Sequence, residues 1–167
     1  MDTDLGPVPG KLLVRIIPAM SPTDTMSQIE VDKFLLESRI PLKLGTIDQH
    51  GDPIIHPIWY HYDEGKFYLI TASNSRKMQN ASRHRIVYFC VDTETRPYKG
   101  VKGKGTLSTI KDRERTVRMG ERIISKYLGN SENPLGKYLI KRLKTGEEAL
   151  VQITPHYFSV WDDSKST

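Results

Sequence analysis

Cysteine occurs once in these 167 residues, at Cys90, which excludes a disulfide within one chain and a metal site built from cysteines alone. Long apolar runs are missing too. The longest near the start, Leu12 to Met20, is broken by Arg15 and Pro18, too short for a transmembrane helix and poor as a secretory signal core. A cytoplasmic location with no membrane partner is therefore expected. Several catalytic signatures are absent: there is no G-x-S-x-G, no H-E-x-x-H and no Walker loop. Gly100, Gly103 and Gly105 lie in a strand-like segment without the G-x-G-x-x-G spacing, so a Rossmann dehydrogenase is not expected either. Of the five histidines, His56 and His61 stand five apart, on opposite faces if one strand carries both, and no metal site is expected.

What is present is an ordinary globular balance, 37% apolar and 27% charged, at a length that one domain usually fills. Charge is unevenly distributed. Residues 96–126 hold ten basic side chains (Arg96, Lys99, Lys102, Lys104, Lys111, Arg113, Arg115, Arg118, Arg122 and Lys126) against Asp112, Glu114 and Glu121. That stretch is +7 and the remainder −2, giving the total of +5. A basic excess can attract phosphate groups, but a solvated helix face explains it more simply. Nucleic acid is the weaker expectation, because no zinc-finger spacing or ribonucleoprotein motif accompanies the charge.

Residues 1–27 contain four of the ten prolines and read as an extended arm, leaving 28–167 as the folded domain. Ser27 and Glu30 form a capping-box pattern before a helix over Gln28–Ser38. Strand character follows at Ile40–Ile47, Ile54–Tyr62 and Lys66–Thr71, joined by short glycine-containing turns that make hairpins. One or two helical turns are expected within Ser73–Arg83, then strands at Ile86–Asp92 and Lys99–Ile110. The region 111–128 reads as the longest helix, with Val117, Gly120, Ile124, Tyr127 and Leu128 as its buried stripe and Arg115, Arg118 and Arg122 outward. A helix from Pro134 to Lys144 and a strand over Glu148–Asp162 complete the chain. Six hairpin-linked strands with peripheral helices predict an α+β fold built on a small antiparallel barrel.

The sharpest chemical signal is T-A-S-N-S-R-K-M-Q-N at Thr71–Asn80. A strand ends, small polar residues turn the chain, and Arg76 and Lys77 open a helix. Hydroxyls, free amides and two adjacent cations suit a phosphate dianion. In the strand before it, Pro57 implies an edge or a bulge, where exposed backbone could meet a planar, hydrogen-bonding ring. Cys90, inside the apolar run Ile86–Val91, reads as a core thiol.

The runs I-P-L-K-L-G-T-I-D-Q-H-G-D-P-I-I-H-P-I-W-Y, G-K-F-Y-L-I-T-A-S-N-S-R-K-M-Q-N, V-Y-F-C-V-D, G-V-K-G-K-G-T-L and V-Q-I-T-P-H-Y-F-S-V-W-D resemble the pyridoxamine 5′-phosphate oxidase-like proteins, a flavin-binding split β-barrel family. The resemblance spans most of residues 28–162 and implies a split β-barrel. It implies that Ser75, Arg76 and Lys77 hold the phosphate of flavin mononucleotide (FMN). It further implies that His56, Pro57, Ile58 and Trp59 give main-chain contacts to the isoalloxazine, and that Ile70 and Thr71 line the same cleft. It implies a homodimer with the cofactor at the subunit interface, Lys102 and Trp161 being candidates for residues lent by the partner. The authentic oxidase has a C-terminal segment closing its pyridoxine site, with no counterpart here, so vitamin B6 is not implied as substrate. A flavin oxidoreductase acting on some small molecule is the expectation, with no catalytic acid or base named. A deazaflavin in the same phosphate region is the alternative cofactor, and a nucleic-acid-binding protein using residues 96–126 the alternative function.

Overall fold

The computed structural model describes residues 13–130 and 132–166, so residues 1–12 of the expected arm lie outside the described residues. Strand β1 is Arg15–Pro18, followed by helix α1 at Gln28–Glu37. The capping box forms: Ser27 Oγ accepts from the Glu30 N–H (3.3 Å) and the Ser27 N–H donates to the Glu30 carboxylate (2.7 Å). Lys165 reaches the same carboxylate at 2.6 Å, and these partners, Lys165 first, hold its pKa down at about 2.

Strands β2 (Leu42–Ile47), β3 (Pro53–Ile58), β4 (Tyr60–Asp63) and β5 (Lys66–Ala72) lead into helix α2 (Arg76–Arg83). Strands β6 (Ile86–Asp92) and β7 (Lys99–Thr109), helices α3 (Arg113–Leu128) and α4 (Pro134–Thr145), and strand β8 (Glu148–Asp162) follow. The order across the sheet is β3-β2-β6-β7-β8-β5-β4, antiparallel throughout, while β1 pairs in parallel with β8. This is a curled sheet with helices outside it, an α+β split barrel.

Two strands exceed the expected six. One is β1, from the proline-rich start. The other arises because the expected strand Ile54–Tyr62 divides at Trp59: β3 bonds to β2, whereas β4 bonds to β5 at the far end of the sheet. Pro57 lies on the terminal strand β3, where its missing N–H breaks no central ladder.

The barrel interior is aromatic. The Phe67 and Phe89 rings lie 4.9 Å apart, and Phe158 packs edge-on against both, at 6.1 and 5.9 Å. Along β6 the inward residues are Val87, Phe89 and Val91. Cys90 alternates to the outer face, half-buried, rather than to the core expected for it. Burial still pushes its thiol up to about 11.

Helix α3 covers the other face of β5 and β8, where Tyr68, Met119, Ile123 and Leu150 form a second apolar cluster. Its buried residues are Thr116, Met119, Gly120, Ile123 and Ile124, so the stripe is displaced by about one position from that expected, with Val117 and Leu128 at its margins. The cause is a double contact. The helix faces the sheet and α4 together, and a Cβ at Gly120 would overlap Leu143 of α4. Arg115 consequently turns inward, donating to the Tyr68 hydroxyl at 2.7 Å. At the last turn the Lys126 ammonium sits 3.7 Å from the Tyr60 ring centre and donates to the Leu35 carbonyl (3.3 Å), while burial pulls its pKa down to about 8.

Gly103 on β7 is the tightest point of the interior, since a Cβ there would overlap the Tyr157 carbonyl and lie 2.7 Å from Phe89 Cζ. Gly45 is roomier, its Cβ meeting Tyr88 Cβ at an ordinary 3.4 Å. Gly103→Ala is expected to destabilise the protein by about 2–3 kcal/mol, because backbone is the obstacle, and Gly45→Ala by less than about 1 kcal/mol. Urea unfolding measures both, and equal midpoints would contradict this packing.

Candidate functional site

Where β3 and β5 diverge, a cleft of about 460 Å³ opens, lined by Pro41, Pro57, Ile58, Trp59, Ile70, Thr71, Ala72, Lys77, Leu139 and Glu148. Pro57, Ile58, Trp59, Ile70, Thr71 and Lys77 were expected at a site, and they line this one cavity. The volume lies in the range of small-molecule pockets. Trp59 is fixed by α3: its ring stacks on Tyr127 at 5.0 Å with planes 4° apart. The Tyr127 hydroxyl in turn accepts from the Tyr60 N–H and donates to the Ile40 carbonyl, each at 3.4 Å.

Ser75 caps α2, its Oγ accepting from the Met78 N–H at 3.4 Å and lying 3.1 Å from the buried Thr71 hydroxyl. The Ser73 hydroxyl donates to the Gly146 carbonyl (2.7 Å), tying the loop to the end of α4. Arg76 and Lys77 then occupy the first turn of α2, which has no acidic residue. A helix start already carries unpaired N–H groups and positive potential, so two cations there are unfavourable without an anion. Neither makes an ion pair with a carboxylate among the described residues. Asp48, in the β2–β3 turn, is the acid that senses Arg76, and it accepts from the backbone N–H groups of His50 (2.8 Å) and Asp52 (3.0 Å).

The His56 side chain leaves the cleft wall and turns toward α2. Its Nε2 lies 3.2 Å from Thr46 Oγ1, which accepts from Asn80 Nδ2 at 3.0 Å. Burial, then Lys77 and Arg76, lower its pKa. His61 sits on a different strand, β4, and is also lowered, first by burial. Glu148, the cross-strand partner of Ala72, is paired with Arg142 at 3.0 Å, and Arg142 also binds Glu147 at 2.7 Å.

Lys102 and Trp161 do not line the cleft. They lie together on the outer sheet face, the ammonium 5.7 Å from the Trp161 ring, beside a hollow of about 390 Å³ whose lining includes Lys102, Lys43, Tyr88 and Cys90. Of the ten cations of residues 96–126, three lie on β7 and five on α3, with Arg96 before β7 and Lys111 between the two elements. Lys99 pairs with Asp162, Arg118 with Glu114 and Arg122 with Asp63. Missed by sequence reasoning were Pro41, Leu139 and Glu148 in the lining, and Thr46 and Asn80 beside it. Leu139 and Glu148 lie in none of the quoted runs, whereas Asn80 ends the Thr71–Asn80 signal and Pro41 and Thr46 lie in the first run, and tertiary folding brings all five to the site.

The family model for pyridoxamine 5′-phosphate oxidase matches residues 28–162. None of the curated proteins matches the sequence. Among solved structures, the chain is similar to a conserved hypothetical protein from Mycobacterium tuberculosis, at 25% identity and a TM-score of 0.76, over 87% of this chain and 91% of that one. It shares its fold with an F420 reductase (20% identity, TM-score 0.61, 76% of this chain and 94% of that one). It shares it also with a FAD-binding protein from Mesorhizobium loti (16% identity, TM-score 0.59, 81% and 94%).

Both imidazoles are expected to titrate below the ordinary value of 6.5, read from ring-proton NMR shifts. Replacing Arg76 and Lys77 together by Ala should raise the His56 midpoint and leave His61 in place, since Arg122 and Lys126 act on His61 instead. Because folding lowers both values, the unfolded chain binds more protons below 6.5, and this part of stability is lost as pH falls below that value. A His56 midpoint at or above 6.5 would contradict its placement.

Proposed function

The chain belongs to the pyridoxamine 5′-phosphate oxidase family, and on that premise we propose that it is an FMN-binding oxidoreductase that works as a homodimer on a small-molecule substrate. The observation that carries this reading is the pair Arg76–Lys77, two cations without a carboxylate partner at the start of α2, opening beside the cleft. An anion there would meet free helix amides, the Ser75 and Thr71 hydroxyls and two positive charges at once.

In this reading Ser75, Arg76 and Lys77 hold the phosphate. The backbone of His56, Pro57, Ile58 and Trp59 offers polar edges to the ring, and Ile70 and Thr71 form the opposite wall. The cleft fits such a group in volume, in its apolar flanks and in the charge at one end. When bound, the flavin supplies the hydride- and electron-transfer chemistry, and the protein supplies position and electrostatics. Trp59, braced by Tyr127, keeps one wall rigid. Glu148 is paired with Arg142 and shapes the cleft. Lys102 and Trp161 enter the site from the second subunit. Ile55, 72% exposed, and Tyr88, 50% exposed, belong to that outer face and would be covered by the partner. A deazaflavin phosphate would use the same cradle, and its single main absorption band distinguishes it from the paired bands of FMN.

FMN is expected to bind at least about tenfold tighter than riboflavin, since charge-assisted contacts to the phosphate are worth about 1.5–3 kcal/mol each. Arg76→Ala should remove most of that difference, and Lys111→Ala, outside the cradle, should not. Equal affinities in a fluorescence titration of the unaltered protein would overturn the assignment. Light scattering is expected to give twice 19.1 kDa, and a monomer holding stoichiometric flavin would refute the shared site. Duplex DNA should bind negligibly near physiological salt. Sub-micromolar duplex binding by protein lacking flavin absorbance would favour the nucleic-acid reading instead.

A further inference from the structure

The His56 ring is held by a relay across three elements. Asn80 on α2, 2% exposed, donates to Thr46 on β2, 1% exposed, and the Thr46 oxygen lies 3.2 Å from His56 Nε2 on β3. Having accepted from Asn80, the Thr46 hydroxyl keeps a proton and a second lone pair, and a relay running from Asn80 through Thr46 to Nε2 has Thr46 donating to the ring. With Nε2 the acceptor, the proton of the neutral imidazole sits on Nδ1, on the side of the ring away from Thr46.

The surroundings keep the ring neutral. Burial and the charges of Lys77 and Arg76 all disfavour imidazolium, and no carboxylate is among the groups that act on it. Of the two acids on the β2–β3 turn, Asp48 accepts from the backbone N–H groups of His50 and Asp52, and neither Asp48 nor Asp52 is among the groups that act on the ring. Burying an amide and a hydroxyl to orient one imidazole is unfavourable unless the pairing is complete, and here it is. A ring that only filled space would need no such orientation.

We propose that His56 is a phosphate ligand in its own right, a neutral donor through Nδ1–H whose tautomer is set by Thr46 and Asn80. This rests on the phosphate cradle proposed above and extends it from the main chain of His56 to its side chain. A neutral donor suits the place. It adds a hydrogen bond to the anion without adding a third positive charge to a cradle that already holds two. Thr46 and Asn80 are positioning residues in this scheme, acting through His56.

Nitrogen-15 NMR of the ligand-free protein tests the tautomer, with the expected result that His56 carries its proton on Nδ1. Adding inorganic phosphate is expected to move the His56 resonances. His56→Phe should weaken FMN binding about tenfold, the scale of one hydrogen bond to a charged group, and leave riboflavin affinity unchanged. Thr46→Val should mix the tautomers and lower FMN affinity in the same selective way. An Nε2–H tautomer, a His56 signal unmoved by phosphate, or equal losses for FMN and riboflavin in His56→Phe would overturn the proposal. If the unaltered protein binds neither flavin, the cofactor reading fails, and the phosphate response in NMR still decides the role of His56.

Discussion

One residue, Trp59, separates two strands that stand at opposite ends of the sheet order. The chain must leave one edge and join the other within a single step, which is possible only if the sheet curls until its edges approach. That closure depends on the interior being filled, and the rings of Phe67, Phe89 and Phe158 fill it, with Gly103 leaving room for Phe89. It depends also on Trp59 being held, which the stack on Tyr127 accomplishes. The cleft is the gap left where the edges come close without bonding. Its position thus follows from the same step that closes the barrel, and α3 braces both.

The electrostatics of α2 run against local helix preference. Acidic residues stabilise a first turn and basic ones oppose the macrodipole, yet Arg76 and Lys77 occupy it. Several other helix ends follow the rule: Glu30 begins α1, Glu114 begins α3, and Lys126 and Arg142 lie in the last turns of α3 and α4. Two adjacent cations and no acid in a first turn, at the mouth of a cavity, mark where stability and binding compete. Helix α2 is kept in place by contacts away from its start: the Asn80 side chain bonded to Thr46, and Ala81 packed in the core. The cations can therefore remain unpaired without the helix detaching.

Local signals were legible in the sequence and distant ones were not. Ser27 with Glu30, the turns at Asp48–Asp52 and Asp63–Gly65, and Ser75 before Arg76 each declare an element within a few residues, and each element formed. Pro57 announced an edge because one missing N–H suffices. The break at Trp59 gave no such sign, since both halves share β-branched and aromatic character and only tertiary closure divides them. Cys90 was read from an apolar run, but alternation decides its face, and the register against β7 puts it outward. Choosing Val117 for the α3 stripe assumed one packing partner where there are two. Six cleft residues could be anticipated from the two strands and the helix start. Leu139 joins them because α4 packs against β8, and Glu148 because β8 pairs with β5 and sets it opposite Ala72.

The separation of Lys102 and Trp161 from the cleft has a geometric origin. Both lie on the outer sheet face, and Trp161 can lie flat across β7 because Gly100 has no side chain there. The same face carries Lys43 paired with Asp92, and the exposed Ile55 and Tyr88. Within one chain the hollow and the cleft meet β3 at different positions along it, Ile55 at the hollow and Pro57 and Ile58 at the cleft. The exposed row Pro53, Ile55 and Pro57 of this terminal strand is where the proposed second copy would seat, bringing its outer face to the open cleft. In that assembly, ligand binding and dimerisation are thermodynamically linked. A ligand that touched both subunits would stabilise the dimer by as much as the dimer strengthened its affinity, and a monomer would keep the phosphate cradle and the ring walls but lack Lys102 and Trp161 of the second copy.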